Sequence, residues 1–122
     1  MVQRSIVIAA AWLEIVVGAC FAALPDLPCV LLFAVKPEEV AAPLARFAGC
    51  GLFALGIACL PSPTTGSRRG VVGLFVFYVG VTILFAWIGV ATSFHGYLLW
   101  PVVILHGVIA IALLPQIMTS KD

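Results

Sequence analysis

Residues 71–91 read VVGLFVFYVGVTILFAWIGVA, a run of 21 positions without one charged side chain. A helix rises about 1.5 Å per residue, so such a run matches the roughly 30 Å of hydrocarbon in a bilayer. A helix of a soluble protein shows one apolar stripe and one polar face. This run is apolar on every face, and it lacks the strict alternation of a barrel strand. Three more runs of the same kind flank it. Residues 5–24 are broken only by Glu14, residues 44–60 carry Arg46 in their first turn, and residues 98–114 contain His106. Prolines and small polar residues punctuate the gaps. Pro25, Asp26 and Pro28 end the first run, Pro61, Pro63 and Gly66 the second, and Thr92, Ser93, His95 and Gly96 the third. Pro115 is expected to close the fourth. The spacing predicts an all-α integral membrane protein, an antiparallel four-helix bundle forming a single domain over 1–122.

Composition agrees. Of 122 residues, 64% are hydrophobic and 9% charged, against about 45–50% and about 25% in soluble domains. That apolar content excludes disorder. The formal net charge of +1 supplies no basic field for nucleic acid. The first run is longer than the roughly 7–15 apolar residues of a signal peptide and reads as a true span. Arg4, Arg68, Arg69 and Lys121 fall on one side of the bundle, Lys36 and Arg46 on the other. The positive-inside rule then places both termini in the cytoplasm, with the protein in a bacterial-type inner (plasma) membrane. Connection 25–43 becomes extracytoplasmic. Its apolar segment 29–35 is too short to span and reads either as an amphipathic cap packed on the bundle or as a lid over a site, with the cap favoured. Beyond Pro37, Glu38 and Glu39 are expected in the first turn of the next helix.

Polar residues inside the spans are the candidates for chemistry. Glu14 is the tenth of 20 positions in its run, His106 the ninth of 17 and Thr82 the twelfth of 21. Tyr78 and Trp12 lie near the same depth. An acid at mid-membrane costs on the order of 3 kcal/mol on the lenient insertion scale, and by default it marks function. Two readings stand: a proton-coupled or ligand-binding cluster, and an interhelical bond that only fixes packing. Glu14 and His106 are expected within hydrogen-bond reach, directly or through one water, because neither reaches bulk water. Arg46 is expected to snorkel or to meet Glu38 or Glu39. Cys20, Cys29, Cys50 and Cys59 form no CxxC pair. They read as small buried hydrophobes, with a disulfide from Cys29 to Cys20 or Cys50 as the alternative. Two histidines and one central acid predict no metal site, and no cofactor is expected, haem or quinone being the lesser readings. Ala45 and Gly49 make a small-xxx-small pair, extended by Gly56, that suits close helix packing. That packing is internal on one reading. On the other these residues, with Arg46, meet a second copy or a larger membrane complex.

The run WLEIVVG at 12–18 resembles the first helix of small multidrug resistance transporters. Those proteins also have four spans, and their central glutamate binds protons and cationic drugs; the resemblance implies such a role for Glu14. Their aromatic and glycine patterns are not reproduced at 78–87. The layout as a whole, with four spans, a polar-interrupted first helix, a loop like 25–43 and a small-residue-rich second span with an early Arg, is similar to DoxX-like bacterial membrane proteins. Some of those sit beside quinone-linked oxidoreductases. The leading expectation is a non-enzymatic accessory or scaffold subunit of a membrane complex, in contact with the bilayer and with other subunits or a second copy. The alternatives are a proton-coupled small-molecule transporter using Glu14 and a quinone-binding membrane subunit.

Overall fold

A computed structural model of the chain describes residues 2–60 and 68–119. The turn predicted at Pro61, Pro63 and Gly66, and Lys121, lie outside the described residues. The elements are α1 (Val2–Ala23), α2 (Asp26–Phe33), α3 (Ala41–Cys59), α4 (Arg68–Ala91) and α5 (Leu99–Thr119). Among the described residues, four helices (α1, α3, α4 and α5) are long and apolar enough to cross a membrane. The all-α membrane bundle read from the sequence is the observed fold class.

The bundle is built as two antiparallel hairpins. The helix α1 packs chiefly on α3, and α4 chiefly on α5. Glycine makes the first contact possible. A methyl group at Gly49 would lie 2.5 Å from the Ala22 nitrogen and 2.7 Å from the Gly18 oxygen. One at Gly56 would lie 2.6 Å from the Ala11 oxygen, and one at Gly18 would overlap the Phe53 backbone nitrogen. In hydrocarbon, where lipid is as apolar as a side chain, such close backbone approach is a main source of helix association. The seam at Gly49 and Gly56 is therefore internal, and these two glycines are not available to an external partner. Ala45 is half-buried on the same helix.

The two hairpins meet differently at their two ends. Toward the chain termini all four helices close on one core, in which Ala11, Leu74, Tyr78 and Leu113 are wholly buried and Val7, Ala10, Cys59 and Ala110 nearly so. Toward the other end the hairpins diverge, and α2 lies across the opening with Cys29 and Leu32 buried beneath it. Its C-terminal carbonyls are capped by the α4–α5 connection. The Gly96 nitrogen donates to the Leu32 oxygen (2.8 Å) and the Leu98 nitrogen to the Leu31 oxygen (2.9 Å). Only glycine fits at position 96, since a methyl group there would overlap the Leu31 carbonyl oxygen. Phe33 of α2 packs edge-on against Phe85 of α4, with centroids 5.5 Å apart. The helix α2, which holds most of the apolar segment 29–35, is thus a cap tied to both hairpins. Phe94, Tyr97 and Trp100 are exposed around the same end, as in the aromatic belts of membrane interfaces.

Three local expectations are corrected. Pro115 lies inside α5, which continues to Thr119; breaking a helix in hydrocarbon would expose more backbone groups than one missing N–H. Glu38 and Glu39 precede the first turn of α3 instead of occupying it, because the helix begins at Ala41. Of the two readings of Arg46 the acid contact is not made: the side chain is exposed and its Nη1 donates to the Ala22 oxygen at 2.9 Å, capping a carbonyl at the end of α1 that has no intrahelical donor. All four cysteines are free, so the alternative disulfide from Cys29 is not formed. Burial, and then the Asp26 carboxylate, push the Cys29 thiol above its ordinary range, which suppresses the thiolate that exchange requires.

Gly49→Val should destabilise the bundle by about 1–3 kcal/mol, the usual cost of overpacking, read as a lower Tm in detergent by circular dichroism; an unchanged Tm refutes the seam. Ala34 ends α2 in the left-handed region at φ 59°, where a Cβ costs roughly 1–2 kcal/mol. Ala34→Gly should accordingly raise the same Tm.

Candidate functional site

Between the diverging hairpins lies a partly open cavity of about 690 Å³. Each element contributes a wall: Val17 and Phe21 from α1, Leu31 and Leu32 from α2, Leu52 and Leu55 from α3, Phe85 from α4 and Val102 from α5. The lining is almost wholly apolar. Its polar side chains stand where the cavity meets the packed core, and they are Glu14 and His106. Both are buried, Glu14 to 2% exposure and His106 to 9%.

Tyr78 joins them. Its ring is fully buried and lies 5.0 Å from the His106 ring, centroid to centroid. Its hydroxyl donates to the Ala10 oxygen (3.3 Å) and also meets the Glu14 carboxyl. Glu14 and His106 therefore share one neighbourhood through Tyr78. The direct Glu14–His106 bond expected from their matched depth is not made. His106 spends Nδ1 on the Val102 oxygen of its own helix (2.8 Å), and Glu14 turns to Tyr78.

The Glu14 carboxyl is half-satisfied, because Oε1 has no hydrogen-bond partner. An unpaired carboxylate in this setting costs far more than a neutral carboxyl. The Tyr78 hydroxyl serves the Ala10 oxygen and the Glu14 carboxyl together, and Oε1 is left out of that bonding. His106 is constrained in the same way: Nδ1 faces a carbonyl oxygen and must carry the hydrogen, so the neutral ring presents Nε2 as an acceptor.

The remaining sequence candidates do not join this group. Thr82 returns its hydroxyl to the Tyr78 oxygen (2.7 Å), an i to i−4 bond within α4. Trp12 projects from the outer face at 54% exposure. His95 is exposed in the α4–α5 connection. Among the described residues no three His, Cys, Asp or Glu side chains converge on a common point. The apolar walls, and Gly51 with open space around it, had no signature in the sequence. A leucine facing a cavity and one facing lipid read alike, and only the polar floor stood out.

The chain was compared with protein-family models, curated proteins and solved structures, and none of them matched it.

Tyr78→Phe removes the hydroxyl that Glu14 meets and should cost about 1–3 kcal/mol, the price of stranding a buried polar group. Adding Glu14→Met removes the stranded group, so the double variant should recover most of the loss. Independent, additive effects of the two changes in a thermal-unfolding cycle would show that the side chains do not interact.

Proposed function

We propose that this protein holds one lipophilic small molecule inside the membrane, between its two hairpins and beneath the α2 cap. The cavity carries the reading. Its volume, about 690 Å³, falls within the roughly 300–1,000 Å³ of small-molecule sites, which are mostly apolar with a few convergent polar groups. Glu14 and His106 are those groups here. Binding is favoured over passage because the four helices close below the floor on Tyr78, Leu74 and Leu113. Transport through Glu14 would require that packing to open.

The reading suits an accessory subunit that presents or stores a lipophile for a larger membrane complex, and it agrees with the resemblance to DoxX-like proteins. A quinone-type ligand belongs to the same class. The proposed setting is a bacterial-type inner membrane with both termini cytoplasmic, supported by Arg4 and Arg69 beside the terminal end. The capped mouth then lies in the outer leaflet.

Gly51 provides the test, since it borders the cavity and a Cβ there meets nothing within 4 Å. Gly51→Trp should fold with an unchanged or higher Tm and lose most of its uptake of a photoreactive long-chain lipophile in nanodiscs. Labelling of the cavity walls undiminished by the tryptophan would refute a ligand site there.

A further inference from the structure

We infer that the site selects a lipophile ending in a hydrogen-bond donor, a hydroxyl of the alcohol or phenol type, over one ending only in acceptors. This rests on the proposed binding role and specifies the head group. The cavity floor offers one acceptor whose tautomer the backbone fixes, beside a buried carboxyl. Nδ1 of His106 is fixed as the protonated nitrogen by the Val102 carbonyl at 2.8 Å, which leaves Nε2 with its lone pair. Oε1 of Glu14 is buried without a partner, on a side chain that is 98% buried and borders the cavity. The donors nearby are already committed: the Tyr78 hydroxyl to Ala10 and the Thr82 hydroxyl to its own helix.

A ligand hydroxyl placed at this floor donates to Nε2 of His106. A ketone, ester, ether or oxidised quinone head brings a second acceptor to that nitrogen and leaves both unpaired. Sites built to bond a ligand hydroxyl reject analogues lacking it because buried polar groups are then left unmatched. The apolar walls grip the chain and contribute nothing to this choice, so head-group selectivity resides in His106. An ionised Glu14 would reverse the preference toward an ammonium head, and that alternative is directly measurable.

The experiment uses the full chain in nanodiscs of fixed lipid composition, with a sixteen-carbon alcohol bearing a mid-chain diazirine as the photolabel and labelled residues mapped by mass spectrometry. Unlabelled 1-hexadecanol, its methyl ether and hexadecylamine are the competitors. Hexadecanol should compete about tenfold better than the ether, the equivalent of one net hydrogen bond. The advantage, read as the ratio of the two competitors within one variant, should shrink to about one in His106→Phe. That change strands no partner, because Nδ1 bonds only its own helix. Equal competition by alcohol and ether, with labelling that saturates and is blocked by Gly51→Trp, overturns the head-group assignment and leaves the binding role standing. Stronger competition by the amine overturns it as well, in favour of a charged Glu14. An absence of saturable labelling overturns the binding role itself.

Discussion

Gly18, Gly49 and Gly56 let α1 and α3 approach until backbone meets backbone, and this crossing sets the rotation of α1. Ala11, Glu14 and Gly18 follow one another at helical spacings of three and four, so they share a face. The rotation that presses Gly18 onto α3 also turns Glu14 inward. Its burial at mid-membrane is thus a consequence of a glycine contact several residues away. No residue larger than glycine at these positions preserves that geometry. The acid, the tyrosine it meets and the cavity beside it all depend on the same close approach.

A second constraint follows from the solvent. Lipid offers no hydrophobic drive to join the hairpins, so they associate only where their surfaces fit or polar groups meet. At the terminal end they fit, around Leu74, Tyr78 and Leu113. At the other end large side chains such as Phe21 and Phe85 line an open space. There α2 bridges the gap, and backbone hydrogen bonds from Gly96 and Leu98 hold it in place. The cap belongs to both hairpins: it is covalently part of the first and hydrogen-bonded to the second. The α4–α5 connection thus holds the cap at the open end of the bundle.

Much of this architecture was legible in the residues. The four spans emerge from uninterrupted apolar length, since hydrocarbon thickness fixes the number of residues needed. Glu14 and His106 stood out because polar groups at that depth are costly, and the small-residue pattern at Ala45 and Gly49 announced a close crossing. The division of the bundle into a packed end and an open end was not legible. In a soluble protein the period of polar residues tells inside from outside; in α4 and α5 both sides are apolar, so that signal is lost. Depth matching paired Glu14 with His106 without weighing the competition of each helix's own carbonyls. The Val102 oxygen lies one turn back from His106, already in place, and claims Nδ1 at no cost in helix rotation. The acid contact read for Arg46 fails for a related reason: the last carbonyls of α1 lack intrahelical donors, and the Ala22 oxygen takes the guanidinium.

What remains unexplained by packing is the retention of an acid whose Oε1 bonds nothing. An apolar residue of similar volume would fill the site without the desolvation penalty, and such replacements are often neutral or stabilising. Nothing else in the described fold requires the carboxyl. The α1–α3 seam is made by glycines, Tyr78 has the Ala10 oxygen, and His106 has Val102. Proteins keep local violations of this kind chiefly at functional sites. The violation here stands at the junction of the packed core with an apolar cavity that His106 also lines. There Nδ1 is committed to Val102 and Nε2 keeps its lone pair. That shared place beside one cavity, more than the depth of either residue, separates Glu14 and His106 from ordinary packing residues.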